Sequence, residues 1–350
     1  MIMRRTYFIL TLIILLSVIF RFFRLADVPS GLIPEEASTA WNAYSLSQTG
    51  RDEWGNLIPV VFTETGGFKL ALNSYLMVPV VKIFGLNEFS ARFPTALAGV
   101  LAVILTYFLT VELLKRKNIA LSAALLLSIS PWHISMSRYG VDVNWGIPLF
   151  MLGFLFFIKA RNKIWYLVLS GIFFALTYYT YFNYVIFTFT FIGTLFILNW
   201  KFLIRRPVIK FLLIFVITQI IFLTPYITQK NLITRFSQAT SVGTVGFVNR
   251  INEHRKSCSV YSPKIFCQLI YNKPLERTIE FGKNLINHYS TTTFFLYGSQ
   301  LGLSGMPQGW GLFHLFEFPL ILIGIAVMIR KKLFPPILYS GELFMECQAV

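Results

Sequence analysis

This sequence has little acid. Fifteen Asp and Glu stand against 31 Lys and Arg in 350 residues, and charged residues make up only 13% of the chain. So little charge beside 55% hydrophobic residues excludes both a soluble globular surface and a disordered chain. Cysteine and histidine are sparse as well, at three and four residues, and the chain has no CxxC, HExxH or P-loop pattern, no internal repeat and no low-complexity tract. The usual sequence signatures of zinc, redox and nucleotide-phosphate chemistry are therefore missing. A net charge of +16 would suit nucleic acid, but the cations sit in short clusters between apolar runs and form no single solvated face. What is there is a polytopic membrane protein with the lipid bilayer as partner and no nucleic acid.

A hydrocarbon core of about 30 Å takes ~17 to 25 apolar residues to cross. Such stretches are predicted at Thr6–Phe23, Phe93–Leu114, Ile119–Ile134, Val143–Ile158, Ile164–Phe182, Tyr184–Trp200, Phe211–Thr228 and Leu312–Ile329, giving an all-α bundle of about eight transmembrane helices. The start MIMRR with the run after it reads as an uncleaved signal anchor, since no small-x-small cleavage site follows Phe20. With eight spans the clusters MIMRR, KRK at Lys115–Lys117, KARNK at Lys159–Lys163, the cations of Lys201–Lys210 and RKK at Arg330–Lys332 share one side, which the positive-inside rule makes cytoplasmic, with both termini. The acids agree: apart from Glu112, Glu342 and Glu346 they fall on the other side.

Two external segments are long enough to hold a site, 24–92 and 229–311. In the first, Leu70–Gly85 is apolar but interrupted by Lys82, and reads as a juxtamembrane helix at the outer interface. In the second, an oxidising setting would permit a Cys258–Cys267 bridge, with two free thiols as the alternative; Cys347 lies on the reducing side. The Gly-rich run Gly298–Gly311 lacks the strand-to-helix setting of a phosphate cradle and reads as an ordinary loop.

Directly after the first span comes GLIPEEASTAWNAY, with Glu35 and Glu36 in the first turn of a helix opened by Pro34. Carboxylates there complement the helix dipole, so a solvated helix start accounts for the pair by spacing alone. Lys69 follows in GGFKLALNSYL, and SPWHISMSRYGVDVNW carries Arg138 and Asp142 at the i,i+4 spacing that pairs side chains on one helix face. Taken singly, Arg138 is a snorkelling residue and Trp132 and His133 are belt positions. Taken together, carboxylates and cations gather at one outer membrane face, a layout suited to a substrate with a lipid tail and an anionic head. His133, His254, His288 and His314 are scattered, and give a divalent metal no ligand set. His314 and Glu317, three apart, could face each other at the outer end of the last span, as donor-cavity lining or as interfacial residues.

In the stretches IPEEASTAWNAYSLSQTGRDEWGNLIPVVF, GGFKLALNSYLMVPVVKIFGLNEFSARFPTALAGVLAVILTYFLTVELL and SPWHISMSRYGVDVNW the chain resembles glycosyltransferase family 39, the protein O-mannosyltransferase and aminoarabinose transferase group of the GT-C superfamily. The resemblance extends to about Lys332, so residues 1–332 are expected to form one GT-C transmembrane glycosyltransferase module, with 333–350 a short atypical tail. It implies that Glu35 takes the place of the first acid of the family's Asp-Glu pair, the catalytic base, with Glu36 beside it. Lys69 matches the Lys of a Lys-Pro-Pro-type motif whose prolines are here Leu70 and Ala71. Lys69, Arg138 and Arg92 are the implied cations for the donor phosphate, with Asp142 in support.

The activity implied is transfer of a sugar from a polyprenyl-phosphate donor to an acceptor hydroxyl on protein, lipid or glycan, at the extracytoplasmic face of the cell membrane and with inversion. No cofactor is firmly implied. Two other readings stay open. A transporter or flippase would place ionisable residues near mid-membrane, where this chain has almost none. A catalytically inactive, C-terminally truncated relic would account for the ending LFPPILYSGELFMECQAV, since family members continue through further spans.

Overall fold

The computed structural model describes residues 2–64, 67–228, 245–297 and 311–330. The Gly-rich run 298–310 and the tail 333–350 with Cys347 lie outside the described residues. The bundle comprises α1 (Ile2–Phe22), α2 (Pro34–Thr49), α3 (Leu72–Phe84), α4 (Glu88–Leu114), α5 (Lys117–Ile129), α6 (Pro131–Arg138), α7 (Gly146–Lys159), α8 (Tyr166–Thr177), α9 (Phe182–Leu198), the short α10 (Trp200–Leu203) and α11 (Arg206–Thr228). In segment 229–311 stand α12 (Val245–Cys258), α13 (Lys264–Ile270) and α14 (Lys273–His288), followed by the last apolar helix described, α15 (Glu317–Arg330).

Every predicted span contains a helix, but the lengths differ and Ile119–Ile134 falls on two. Among the described residues four helices are long and apolar enough to cross a membrane, and α5 with α6 makes a fifth if the bent pair is one span. The stretches Ile164–Phe182, Tyr184–Trp200 and Leu312–Ile329 contain the shorter helices α8, α9 and α15. Apolar composition runs on through turns such as Thr177–Tyr181, so a hydropathy window overstates the helix it contains.

α4 is the hub, packing against α1, α2, α3, α5, α6 and α7. Its buried residues include Ala91, Thr95, Ala98, Gly99 and Ala102, small side chains that let neighbouring backbones approach where no hydrophobic effect drives helices together. Gly99 shows how close: a Cβ there would lie 2.2 Å from the Ser137 hydroxyl of α6. A second core joins α7, α8, α9 and α11 through Phe157, Leu167, Phe174, Ile192 and Phe215. Outward, α1 exposes Phe8, Leu12 and Ile19, and α11 exposes Leu213, Ile217 and Ile220, the apolar jacket that a bilayer requires.

Segment 24–92 is more structured than the single helix expected in it. α3 forms as expected, and before it strands β1 (Val61–Glu64) and β2 (Gly67–Leu70) pair antiparallel, Phe62 opposite Lys69. The turn ahead of them is built by Asp52, whose buried carboxylate accepts from the backbone N–H groups of Trp54 and Asn56. This hairpin is the one sheet among the described residues.

Candidate active site

Neighbouring residues on a helix point about 100° apart, and α2 divides the acid pair accordingly: Glu35 is exposed and Glu36 is fully buried. Glu36 is saturated. Its Oε1 accepts from Arg92 Nε at 3.0 Å and from the Gly140 backbone N–H at 2.8 Å, and its Oε2 from Ile33 N at 3.0 Å, one of the orphan donors at the start of α2. Gly140 has to be glycine, because a Cβ would sit 2.6 Å from the Ala91 carbonyl oxygen. Its own carbonyl accepts from the buried Asn73 side chain of α3 at 3.1 Å.

Arg92, expected at the donor phosphate, is instead fully buried and committed to the protein. Beyond Glu36 its guanidinium donates to the carbonyls of Leu25 at 3.1 Å, Pro29 at 2.8 Å and Gly31, gathering the 25–31 connection onto the head of α4. With Nε and both terminal nitrogens so occupied, no donor is left for a phosphate.

Arg138 and Asp142 do not share a helix. α6 ends at Arg138, Tyr139 is extended, and a 3₁₀ turn begins at Asp142, so the i,i+4 geometry never forms. Arg138 donates instead to the carbonyls of Phe20 at 2.9 Å, Arg24 at 3.1 Å and Val28 at 2.7 Å, a cation at the negative end of the α1 dipole. Asp142 meets Lys69 of β2, with Nζ 3.8 Å from Oδ2, and both side chains are more than nine-tenths buried. The same Lys69 Nζ donates to the Glu35 carbonyl oxygen at 2.7 Å. Glu35, Lys69 and Asp142 thus converge from three separate parts of the chain, with the Glu36–Arg92 pair beneath them.

A second polar cluster lies at the α5–α6 junction, which the sequence reading treated as one straight span. Pro131 has no N–H to donate and holds Ser130 extended, and the axis bends by 56°. The break leaves the last carbonyls of α5 short of partners. Arg21 of α1 donates to Leu127 O at 3.3 Å and Ser128 O at 3.1 Å, and the ring of His314 bonds Ile129 O at 3.1 Å. Arg21 also meets His133 Nδ1 at 2.7 Å; guanidinium has only donors, so this nitrogen carries the ring's lone pair. His314 and Glu317 are close, through the His314 backbone N–H donating to the Glu317 carboxylate at 3.0 Å. The role of Arg21 had no signal in the sequence beyond a cation inside an apolar run. Asn73 and Gly140 had none at all.

Cys258 and Cys267 form a disulfide that ties α12 to α13. Among the described residues no group of three or more His, Cys, Asp or Glu is placed to hold a metal ion.

Residues 71–227 match the family model described as dolichyl-phosphate-mannose-protein mannosyltransferase. Over 155 residues the chain is 31% identical to an uncharacterized protein of Aquifex aeolicus (strain VF5), an overlap of 44% of this chain and 29% of that protein. In fold it is similar to the Archaeoglobus fulgidus oligosaccharyltransferase in complex with Zn and sulfate, with a TM-score of 0.54 at 14% identity over 93% of this chain and 43% of that one. ArnT from Cupriavidus metallidurans in the apo state superposes with a TM-score of 0.48 at 13% identity, over 63% of this chain and 42% of its own. The chain spans less than a third of the Aquifex relative and less than half of either solved structure. The matched segment runs from Ala71 to Ile227 and contains Arg92, Arg138 and Asp142, while Glu35 and Glu36 precede it. Over Ala71–Ile227 the chain is thus similar to that mannosyltransferase family, and its fold is similar to that of the Archaeoglobus oligosaccharyltransferase.

Proposed function

We propose that the chain transfers a sugar from a polyprenyl-phosphate donor to an acceptor hydroxyl at the extracytoplasmic face, with inversion at the anomeric carbon, and that Glu35 is its base. The observation that carries this reading is the division of the acid pair. One carboxylate is exposed at the head of α2, and the other is consumed in holding that head to α4 and to Gly140.

In this reading Glu35 takes the proton of the attacking hydroxyl while the bond from the anomeric carbon to the phosphate oxygen breaks. The lipid phosphate leaves with the bonding pair. Glu36 and Arg92 are positioning residues, reassigned from catalysis and phosphate binding because neither has a free valence. Lys69, fastened to the Glu35 main chain and to Asp142, fixes where the base stands. Arg138, half-buried and two residues before Gly140, is the cation we assign to the developing phosphate charge. Placement of the Cys258–Cys267 bridge outside the cytoplasm fits the sidedness proposed, since thiols are kept reduced within it.

The test is transfer from a panel of polyprenyl-phosphate sugars by the full chain in nanodiscs. Glu35→Gln is expected to lower transfer by ~10²- to 10⁴-fold, the usual range for losing a general base, with the melting temperature unchanged. Undiminished transfer by Glu35→Gln would remove Glu35 as base. A folded parent that transfers from no donor would overturn the enzymatic reading itself.

A further inference from the structure

α14 is amphipathic in an inverted sense. At 100° per residue, Leu275, Ile279, Leu285, Ile286 and Tyr289 fall within about a 120° arc, and Lys273, Glu276, Arg277 and Glu280 lie on the opposite side. In a water-soluble domain the apolar arc would be packed inward. Here the contacts to α12 come from the polar side: Arg250 pairs with Glu280 at 3.2 Å, and the Arg277 guanidinium stands 6.0 Å from the centre of the Phe247 ring. The apolar arc is left outward, with Ile286 and Tyr289 each 72% exposed.

Two further observations say what covers it. The first is attachment. The chain leaving α14 enters a π-helical turn at Thr293–Tyr297, and Phe313 N donates to Phe294 O at 2.8 Å. The next residue, His314, bonds the Ile129 carbonyl at the end of α5. The chain leaving α14 is thereby fastened to the end of α5, the first half of the bent apolar pair. The second is charge. Residues 245–290 hold seven Lys and Arg against three Glu, on the side of the molecule where most of the acids of the chain lie, so this local excess runs against the trend. Lys283 borders the apolar arc, where a long cationic side chain can reach phosphate head groups.

We propose that α14 lies in the membrane interface on the side of the acid pair, with its apolar arc in the boundary between head groups and acyl chains of a leaflet containing anionic phospholipid. An interfacial helix with these properties gains from apolar burial and from attraction to anionic lipid together. The second external segment then rests on the bilayer and does not project into solvent.

The proposal is tested by spin labelling the full chain in nanodiscs of phosphatidylglycerol and phosphatidylethanolamine. Cys347→Ser removes the unpaired thiol, and Ile286→Cys and Asn284→Cys place labels on the apolar and polar sides. At Ile286→Cys, collision with oxygen should exceed collision with a water-soluble nickel chelate several-fold, and at Asn284→Cys the ratio should invert. Equal access of the chelate to both positions would overturn the proposal in favour of a solvated helix. Shielding of Ile286→Cys from both reagents would overturn it in favour of a protein partner or a second copy. Tyr289→Cys, one turn on, repeats the reading if Ile286→Cys does not assemble.

Discussion

Two arginines, Arg21 and Arg92, are equally buried and are satisfied in different ways. Arg92 has a carboxylate, Glu36, and four backbone carbonyls around it. Arg21 has no carboxylate within ion-pair distance among the described residues. Its acceptors are the Ser17 hydroxyl and carbonyl, two carbonyls at the broken end of α5, and His133. A guanidinium in low dielectric needs compensation, and the two sites supply it as a full charge in one case and as a helix-end dipole in the other. The first arrangement welds the acid-bearing helix to the hub; the second fastens a kinked span.

The comparison is most directly broken at Arg92. Arg92→Met leaves Glu36 buried beside an uncharged neighbour and is expected to cost ~3–5 kcal/mol, the range for removing one partner of a buried pair, read as a large drop in melting temperature in detergent. Adding Glu36→Gln to that variant should recover part of the loss. If single and double variants melt together, the charge pairing is not what holds α2 to α4.

Arg21→Met should cost less, ~1–3 kcal/mol, because it orphans dipoles and not a charge. His133→Ala, which takes the Nδ1 acceptor from Arg21, should fall in or below that range by the same measurement. An Arg21→Met variant as damaged as Arg92→Met would remove the distinction between the two sites. Gly140→Ala comes next, at ~1–3 kcal/mol for overpacking, since its Cβ would press on the Ala91 carbonyl and displace a donor from Glu36. The smallest effect on stability belongs to Glu35→Gln, within ~0.5 kcal/mol for an exposed substitution, even as it abolishes most transfer. That separation of stability from activity distinguishes a base from a second structural acid.

Much of the fold is legible in the sequence. The eight apolar stretches all contain helices, a helix, α3, lies where Leu70–Gly85 suggested one, and Cys258 and Cys267 are joined. The lengths of the spans were not legible, because hydropathy reports which residues avoid water and not where a backbone turns. The break at Pro131 sat inside an apolar stretch for that reason. Within the candidate site, Glu35 and Glu36 could be singled out as a pair but not told apart, since adjacent acids in a first turn have the same local chemistry. Arg138 and Asp142 had the spacing of a helical pair, and only the helix end at Arg138 denied it to them.

The sequence by itself determined the solvent of this protein and its coarse plan: too few charges to face water, and apolar runs long enough for lipid. Those properties add up residue by residue, so they survive without knowledge of contacts. Tertiary structure alone decided which acid is free and which is spent, that Arg92 is a clamp, and that Lys69 and not Arg138 answers Asp142. Each of these depends on an angle of about 100° between helix neighbours and on partners 34 to 104 residues away. Such partners are distances in space, which local composition does not encode.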